Sequence, residues 1–348
     1  MSDEKSRTVW ADEDYVGAKN QSFLSRLYTG TGAFDIVGKR KMWYVISAAI
    51  MLICLLSMIF RGFTPGIDFE GGTQVSLPAS ASVTTDAASE VFATTLGQEP
   101  ESAQTAGSGG SATIQLRTET LSAQDASKLA HAFADAFKPD VTVADVSSSD
   151  VSSTWGQEIT RKMVIALLVF LVVVFIYIAV RFDREMSAAA LVTLLFDVVA
   201  TAGVYSLVGW EVTPAMVIGL LTVLGFSVYD TVVVFDKVEE NTRSVFATSR
   251  RTFAEQTNLA VNQTLMRSIN TTVISVLPII ALMVVAVWML GIGTLKDLAL
   301  IQLVGVVVGT YSSVFLASPM LVSLKERRKD VKRHTAKVLA RREKVASA

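Results

Sequence analysis

Six stretches of this chain are long and apolar enough to cross a lipid bilayer, and they limit what it can fold into. They cover residues 42–60, 163–180, 187–208, 214–236, 271–290 and 298–322. Crossing the bilayer core takes about 20 consecutive apolar residues in a helix, and the backbone inside it must satisfy its own hydrogen bonds. The sequence therefore predicts an α-helical polytopic membrane protein with six transmembrane helices. The first stretch begins too late and is too long for a cleavable leader, so we expect it to be the first span.

The positions of Lys and Arg predict how these helices are oriented, because cytoplasmic flanks of spans are rich in both. The cationic clusters all fall on one side of a six-span arrangement: Lys39, Arg40 and Lys41; Arg181 and Arg184; Lys237, Arg243, Arg250, Arg251 and Arg267; and Lys325 to Arg333. We therefore expect a multi-pass protein of the plasma membrane with both termini in the cytoplasm. Its cytoplasmic parts would be an N-terminal segment (1–41), a loop (237–268) and a basic tail (323–348).

The long segment between the first two spans, residues 61–160, is expected to form an acidic α+β domain outside the cytoplasm. Alternating or β-rich patterns predict strands over 73–77, 112–117 and 141–146, with a weaker one over 101–105. Helical periodicity predicts helices over 86–96 and 123–137, and residues 105–111 have the composition of a hairpin turn. The resulting order, β-α-β-β-α-β, is the ferredoxin-like arrangement.

Two aspartates fall inside the apolar spans and are the first candidates for function. Asp230 lies in the fourth span, which also ends on Asp236, and Asp197 lies in the third. A charge at the bilayer centre costs about 2.5–3.5 kcal/mol on insertion scales, so such residues usually face a bundle interior and mark an ion or proton path. Two simpler interpretations stay open: Ser or Thr of a neighbouring helix could satisfy Asp197, and Asp236 could be an interfacial cap.

Arg267, at the start of the fifth span, is the cation best placed to act on Asp230, and Asn270, Thr271 and Thr272 add hydrogen-bonding groups just inside. A switchable pair of Asp230 and Arg267 would suit a proton relay. The alternative is that Arg267 is an anchor that contacts lipid phosphate.

Small residues in the later spans point to close helix contacts. Gly225 lies in the fourth span, and Gly305 and Gly309 form a GxxxG pattern in the sixth. Such spacing lets helices approach closely, although apolar spans often contain it by chance. The residues that follow Gly309, Thr310 to Ser313, form a polar run inside a span.

The signatures of soluble enzymes do not occur in the sequence, which has no Walker loop, no HExxH and no GxSxG. The single cysteine, Cys54, excludes an internal disulfide, and the two histidines, His131 and His334, are far apart. We therefore expect no metal, no cofactor and no ATP hydrolysis. Any work that the chain does would draw on an ion gradient or on a partner.

Four ordered motifs resemble one known family. Residues 66–73 read GIDFEGGT, similar to the GIDFxGG motif of the SecD and SecF subunits of the bacterial Sec translocase. Residues 225–236 (GFSVYDTVVVFD), 267–272 (RSINTT) and 309–313 (GTYSS) resemble the fourth, fifth and sixth spans of the SecF members. The resemblance runs from Phe34 to Leu324. The N-terminal lead and the basic tail exceed the compact form of the family and suggest an actinobacterial source.

This resemblance implies an accessory, proton-driven subunit of the resistance-nodulation-division superfamily that completes preprotein export through SecYEG together with SecD. SecA and a YajC-type subunit are further candidate partners, and unfolded preproteins are the expected cargo. The protein would sit in the lipid bilayer, and it is not expected to bind nucleic acid. By position, Asp230 and Arg267 would be the proton-path pair. The resemblance also makes Asn270 and Thr271 polar neighbours and places Gly71 and Gly72 at a joint between the first span and the outer domain. Ser227 and Thr272 are further polar candidates, and Gly66 and Asp68 belong to the same motif as the two joint glycines. Phe196 stands before Asp197 where many relatives carry histidine.

Two other functions are open at this stage. A small-molecule or lipid exporter of the same superfamily would generally carry twelve spans and two outer domains, twice what this chain offers. A scaffold would use its polar span residues only for packing. Replacing Asp230 by Asn separates the scaffold from a proton-driven subunit, because packing would survive and proton coupling would not.

Overall fold

The computed structural model describes residues 34–106, 112–285 and 293–347. Within them, six helices or helix combinations are long and apolar enough to span a membrane. The helices that form the spans are α1 (Arg40–Phe60), α5 (Ser153–Arg181), α6 (Arg184–Val208), α7 (Pro214–Thr242), α8 (Phe253–Leu282) and α9 (Gly293–Ser312). The sixth span continues from α9 through a π-helical turn (Ser313–Ala317) into α10 (Ser318–Lys325). The chain is therefore a multi-pass helical membrane protein, as its hydropathy predicts.

Two of these helices begin well before the apolar stretches that predict them. α5 begins at Ser153, ten residues before the expected start of the second span at 163, and α8 begins at Phe253 rather than at 271. A capping box starts α8: the Thr252 Oγ1 accepts from the Glu255 amide, and the Glu255 carboxylate accepts from the Thr252 amide at 3.0 Å. Capping satisfies the first backbone N–H groups of α8, so this helix begins well before its apolar stretch.

A compact α+β domain lies between the first two spans. Its elements are α2 (Ile67–Glu70), β2 (Gly72–Pro78), α3 (Thr85–Leu96), β3 (Ser102–Ala106), β4 (Thr113–Thr118), α4 (Ala123–Ala136), a 3-10 turn (Val143–Asp145) and β5 (Ser147–Val151). The strands form an antiparallel sheet in the order β3-β4-β2-β5, in which Val75 is opposite both Leu116 and Ser148. Helices α3 and α4 cover one face of the sheet, where Phe92 and Phe133 are fully buried.

The last strand of this domain is not where its sequence predicts it. Residues 141–146 hold the 3-10 turn, and the strand that pairs with β2 is the polar segment Ser147–Val151. Asp145 explains the difference, because its Oδ2 accepts from the Thr142 amide at 2.9 Å and from the Thr142 hydroxyl at 2.6 Å. This side-chain bonding favours a tight turn over a strand. The expected hairpin turn at 105–111 lies largely outside the described residues.

The third, fourth and sixth spans form the centre of the bundle. Half of the third span and 44% of the fourth and sixth are buried, against 11% of each of the other three. Glycines bring the central helices together. A Cβ on Gly305 of α9 would lie 2.2 Å from the Val223 Cγ1 of α7, and one on Gly219 of α7 would lie 2.3 Å from the Ile301 Cγ2 of α9. These contacts place α7 directly against the sixth span.

At the end of the bundle opposite the α+β domain, two segments close the core. The remaining helix, α11 (Lys329–Ala346), buries Val331 and Val338, and its His334 Nε2 donates to the Thr248 carbonyl at 2.8 Å. Residues 34–37 bind the start of α8, where the Asn258 Oδ1 accepts from the Ile36 amide at 2.9 Å. The charged tail is therefore partly a structured helix packed against the protein.

Candidate functional site

Asp230 lies in the middle of α7 and is almost wholly buried, with 3% of its surface exposed. Hydroxyl groups from two neighbouring helices donate hydrogen bonds to its carboxylate. The Ser268 Oγ of α8 donates to Oδ1 at 2.8 Å, and the Ser313 Oγ of the π turn donates to Oδ2. Hydrogen bonds to an ionised acceptor are the stronger kind. These two hydrogen bonds stabilise the charged form of the carboxylate, which burial inside a span makes costly.

Asp197 of α6 is buried to a similar degree, with 2% of its surface exposed. Its Oδ2 accepts a hydrogen bond from the Ser227 Oγ of α7, and Ser312 of the sixth span also faces it. Its other oxygen, Oδ1, has no hydrogen-bond partner among the described residues. A buried oxygen without a partner is unusual in proteins and calls for an explanation. A proton, or a water, on this carboxyl would supply one.

The contact between Ser227 and Asp197 depends on a glycine of the sixth span. A Cβ on Gly309 would lie 2.9 Å from the Ser227 Cβ and 3.1 Å from its Oγ. Ser227 also lines a cavity of about 10 Å³, together with Thr231, Phe182 and Leu194. That volume is about what a single water needs. Ser227 thus binds the buried carboxyl and also lines a cavity of about the volume of one water.

Arg267 does not bind Asp230 directly. Its guanidinium is exposed on the side of the bundle, and its Nη2 donates to the Tyr229 hydroxyl at 3.0 Å. Among the described residues no ion pair joins Arg267 to Asp230, although its charge is close enough to act on the carboxylate through space. The structure therefore holds Asp230 by serines, with Arg267 as a charged neighbour.

The polar residues after Arg267 divide between the surface and the interior. Asn270 is exposed, and the Thr271 hydroxyl donates to the Arg267 carbonyl of its own helix at 2.8 Å. Thr272 reaches the sixth span, with its hydroxyl 2.6 Å from that of Thr310. Of the three, only Thr272 connects two spans, and it does so one turn from Ser268.

Asp236 lies outside this cluster. It is six residues further along α7, about 9 Å at the rise of an α-helix, and its Oδ1 accepts from the Arg181 Nη2 at 2.5 Å. Both side chains are more than two-fifths exposed. This geometry ties the ends of the second and fourth spans together.

The three glycines proposed for helix packing have different surroundings. Gly305 and Gly309 each contact α7, as described above, whereas a Cβ on Gly225 would meet nothing within 4 Å. Gly225 is exposed on the outer face of the fourth span. Gly225 therefore packs against no helix of this chain, because it is on the face of α7 that points away from the bundle, and a contact with a partner subunit stays a prediction.

The segment between the first span and the α+β domain is held by backbone contacts that favour glycine. The Gly66 amide donates to the Val212 carbonyl at 2.7 Å, next to a short parallel pairing of β1 (Thr64–Pro65) with β6 (Glu211–Val212). Gly72 has a φ of +126°, and a Cβ there would lie 2.5 Å from the Thr118 carbonyl oxygen. Gly71 has a φ of +84°. Side chains rarely tolerate such backbone, so these glycines fix the path of the joint.

A buried arginine connects this joint to the α+β domain. Arg117 of β4 is 4% exposed, and its Nη1 donates to the Pro65 carbonyl at 2.8 Å and to the Glu211 carboxylate at 3.2 Å. Asp68 lies nearby, and burial raises the pKa of its carboxyl although Arg117 opposes the shift. One cation therefore holds together the end of β1, the loop between the third and fourth spans, and the sheet.

Several of these residues escaped the sequence analysis. Ser268, Ser312 and Ser313 contact the two aspartates, and Arg117 forms the joint, yet none was singled out for a role. A signal existed for two of them, because Ser312 and Ser313 belong to the polar run of the sixth span. Ser268 directly follows Arg267, but serine is common in spans and its direction depends on helix rotation.

Six spans around two buried carboxylates, with an α+β domain between the first two, define a multi-pass membrane protein built around an ionisable cluster. Comparison with known proteins gives the family. The model described as "Protein export membrane protein SecD/SecF, C-terminal" matches residues 131–327, and that of the "SecD/SecF GG Motif" matches residues 56–83. The chain belongs to the SecD/SecF family of protein export membrane proteins.

The relatives place the chain on the SecF side of this family. It is 58% identical to the protein translocase subunit SecF of Mycobacterium tuberculosis, over 93% of this chain and 74% of the relative. It is 38% identical to SecF of Streptomyces coelicolor, over 91% and 84%. Both sources are actinobacterial, as expected. The crystal structure of SecDF from Thermus thermophilus, a translocon-associated membrane protein, superposes with a TM-score of 0.73 at 31% identity over 84% of this chain. The chain spans 39% of that longer protein. The small-molecule exporter alternative gains no support.

Proposed function

We propose that this chain is an accessory subunit of the bacterial Sec translocase that works with a SecD partner and uses proton movement to complete preprotein export through SecYEG. The observation that carries the proposal is the burial of Asp230 between serines of two other spans in a chain of the protein-export family. A carboxyl at such a depth is a natural proton-binding group, because its ionised form is costly there. Arg267 and Asp197 complete the proton path in this proposal.

In this proposal the α+β domain is a ferredoxin-like domain outside the cytoplasm. Its β-α-β-β-α-β order and the sheet order β3-β4-β2-β5 support that class. The predominance of Lys and Arg at the opposite end of the bundle supports an orientation with both termini in the cytoplasm. On the outer side of the membrane, the domain would hold preprotein segments as they emerge from the channel.

A polar stripe on the outside of the bundle supports a SecD partner. Thr222, Tyr229, Arg267 and Asn270 are exposed side by side on α7 and α8, around the open space at Gly225. Polar side chains at membrane depth normally face other helices rather than lipid, and a glycine lets a helix approach closely. We assign this stripe to a span of SecD. The fusion of both parts in one SecDF chain of Thermus thermophilus supports the pairing.

The proposed cycle couples proton binding to movement of the outer domain. Protonation of Asp230 removes its attraction to Arg267 and weakens the bonds from Ser268 and Ser313, so that the fifth and sixth spans shift. The joint at residues 65–73 transmits the shift to the outer domain. A membrane potential supplies about 2.3 kcal/mol per charge per 100 mV, which is enough to bias such a step.

Export in vesicles tests the proposal. Vesicles would contain SecYEG, SecD and either the native chain or Asp230→Asn, with a preprotein arrested late in translocation. ATP is then removed and a proton gradient imposed. We expect the native chain to complete export and Asp230→Asn to fail while it still co-purifies with SecD. Glu240→Gln, which removes an exposed carboxylate from the end of the same helix, is the matched control. Equal completion by Asp230→Asn and the native chain would refute the proposal.

A further inference from the structure

The two buried aspartates come from different helices, yet each contacts the sixth span, and they do so at successive residues. Ser312 faces Asp197, and Ser313 donates a hydrogen bond to Asp230. Both serines are fully buried. Successive side chains of a helix diverge by about 100°, so one helix can serve both carboxyls only where it passes between them. The sixth span does this where it enters the π turn, a rare conformation that is frequent at functional sites.

Each of these serines also has a second acceptor for its single proton. The Ser313 Oγ lies 3.1 Å from the Thr310 carbonyl, and the Ser312 Oγ lies 3.0 Å from the Gly309 carbonyl. A hydroxyl has one hydrogen to donate and two lone pairs that accept. Ser313 therefore donates to Asp230 or to the Thr310 carbonyl, but not to both. Ser312 donates to the Gly309 carbonyl in this structure, where the neighbouring Asp197 Oδ1 has no donor among the described residues.

The charge of the carboxyl decides the choice. An ionised carboxylate is the stronger acceptor and holds the hydroxyl hydrogen. Once the carboxyl takes up a proton, its own O–H can donate to the serine oxygen, and the serine hydrogen turns to the backbone carbonyl one turn back. No heavy atom of the serine has to leave its place. The protonation state of each aspartate therefore sets the direction in which the neighbouring serine hydroxyl points at the start of the π turn.

We propose that Ser312 and Ser313 are positioning residues that couple the protonation of Asp197 to that of Asp230 through the π turn of the sixth span. The inference rests on the proton path of the proposed function and names the element that links its two carboxyls. Because Gly309 and Thr310 are also successive, reversal of either hydrogen bond acts on the same turn of backbone. A proton on one carboxyl therefore changes the surroundings of the other.

Difference infrared spectroscopy tests this on the full chain reconstituted with SecD in lipid vesicles, because the C=O stretch of a protonated carboxyl reports its hydrogen bonds. The band of Asp230 is identified by its loss in Asp230→Asn. We expect Ser313→Ala to shift this band, and Ser313→Thr, which keeps the hydroxyl, to restore it. Ser275→Ala, at a half-buried serine of the fifth span that bonds neither aspartate in the described structure, is the control. An unshifted band in Ser313→Ala would overturn the assignment of Ser313.

The coupling itself is read from a second pair of variants. Asp197→Asn is expected to shift the Asp230 band in the native background and to leave it unchanged when Ser312→Ala is also present. If the shift persists in full without Ser312, the coupling does not run through this serine and the proposal is wrong. Gradient-driven export supplies a functional readout. Loss of one charge-assisted bond in Ser313→Ala should lower its rate by about tenfold, equivalent to 1.4 kcal/mol, with rescue by Ser313→Thr.

The two proposals fail in different ways. Export that survives Asp230→Asn would refute the proposed function, whereas the infrared bands would still report whether the serines respond to the protonation of the carboxyls. If export is lost in Asp230→Asn but the infrared bands do not change in the Ser312 and Ser313 variants, only the coupling proposal is refuted. Co-purification of each variant with SecD separates both results from a failure to fold.

Discussion

Removing the charge of Arg117 should loosen the joint between the α+β domain and the spans while leaving both parts folded. In Arg117→Met the side chain keeps its length and its apolar contacts but loses the hydrogen bond to the Pro65 carbonyl and the ion pair with Glu211. Glu211, which is 17% exposed, is then left without its cation. The β1–β6 pairing at the joint is only two residues long, so we expect Arg117 to contribute much of the stability of the joint.

The expected size of the effect follows from the burial. Breaking a buried ion pair by removing one partner costs about 3–5 kcal/mol, and the partial exposure of Glu211 favours the lower end. A loss of about 3 kcal/mol corresponds to roughly 100-fold in an opening equilibrium. If the pair holds the joint closed, the amide of Gly66, which donates to the Val212 carbonyl, should exchange its hydrogen about that much faster.

Hydrogen exchange measured by mass spectrometry on the reconstituted protein checks this prediction. Peptides that cover residues 64–66 and 211–212 should exchange faster in Arg117→Met, whereas those that cover α3 and α4 should not change. Lys128→Met, which removes an exposed cation of the same domain, serves as the control. Unchanged exchange at Gly66, or equal acceleration throughout the domain, would refute the reasoning, since the first leaves Arg117 without a role at the joint and the second makes it a core residue.

Three further predictions concern packing and pH. Gly305→Leu should lower the thermal stability of the detergent-purified chain by the equivalent of about 1–3 kcal/mol or more, because a Cβ there already overlaps Val223 and overpacking costs that much; an unchanged melting temperature would contradict the packing. Gly225→Leu should leave that stability unchanged but weaken co-purification with SecD, and undiminished capture would remove this face from the interface. Burial raises the pKa of Asp68, with Arg117 opposing, so its contribution to stability is present below the unfolded value of about 3.9 and is lost as the pH rises through the folded pKa. Asp68→Asn should therefore be more stable than the native chain at neutral pH, with a difference that disappears in acid; thermal unfolding across that range checks the sign.

Hydropathy and charge were enough to predict the six helices and both buried aspartates of the site. Asp230 could be found because a carboxylate interrupts an apolar run, which is visible in one dimension. The serines that hold it could not, because the direction of a hydroxyl depends on the rotation of its helix and on a π turn that no sequence pattern announces. The same limit applies to Gly225, since a pattern of small residues does not tell which face of a helix meets a neighbour.

The α+β domain shows a different limit. Most of its elements follow from alternation and periodicity, including the weak strand that became β3. The final strand could not be predicted in this way, because Ser147–Val151 has almost no apolar residue. It forms a strand through backbone hydrogen bonds with β2. The more apolar stretch before it is bent into a turn by Asp145. Local side-chain hydrogen bonds decided this case over β propensity.

The central claim is that protons cross this bundle through Asp230. It is tested most directly by proton flux into vesicles that contain SecD and this chain, measured with a trapped pH-sensitive dye after a potential is imposed. We predict that the native chain and Glu240→Gln conduct protons at the same rate and that Asp230→Asn reduces the flux to the level of vesicles with SecD alone. Flux through Asp230→Asn equal to that of the native chain would contradict the account.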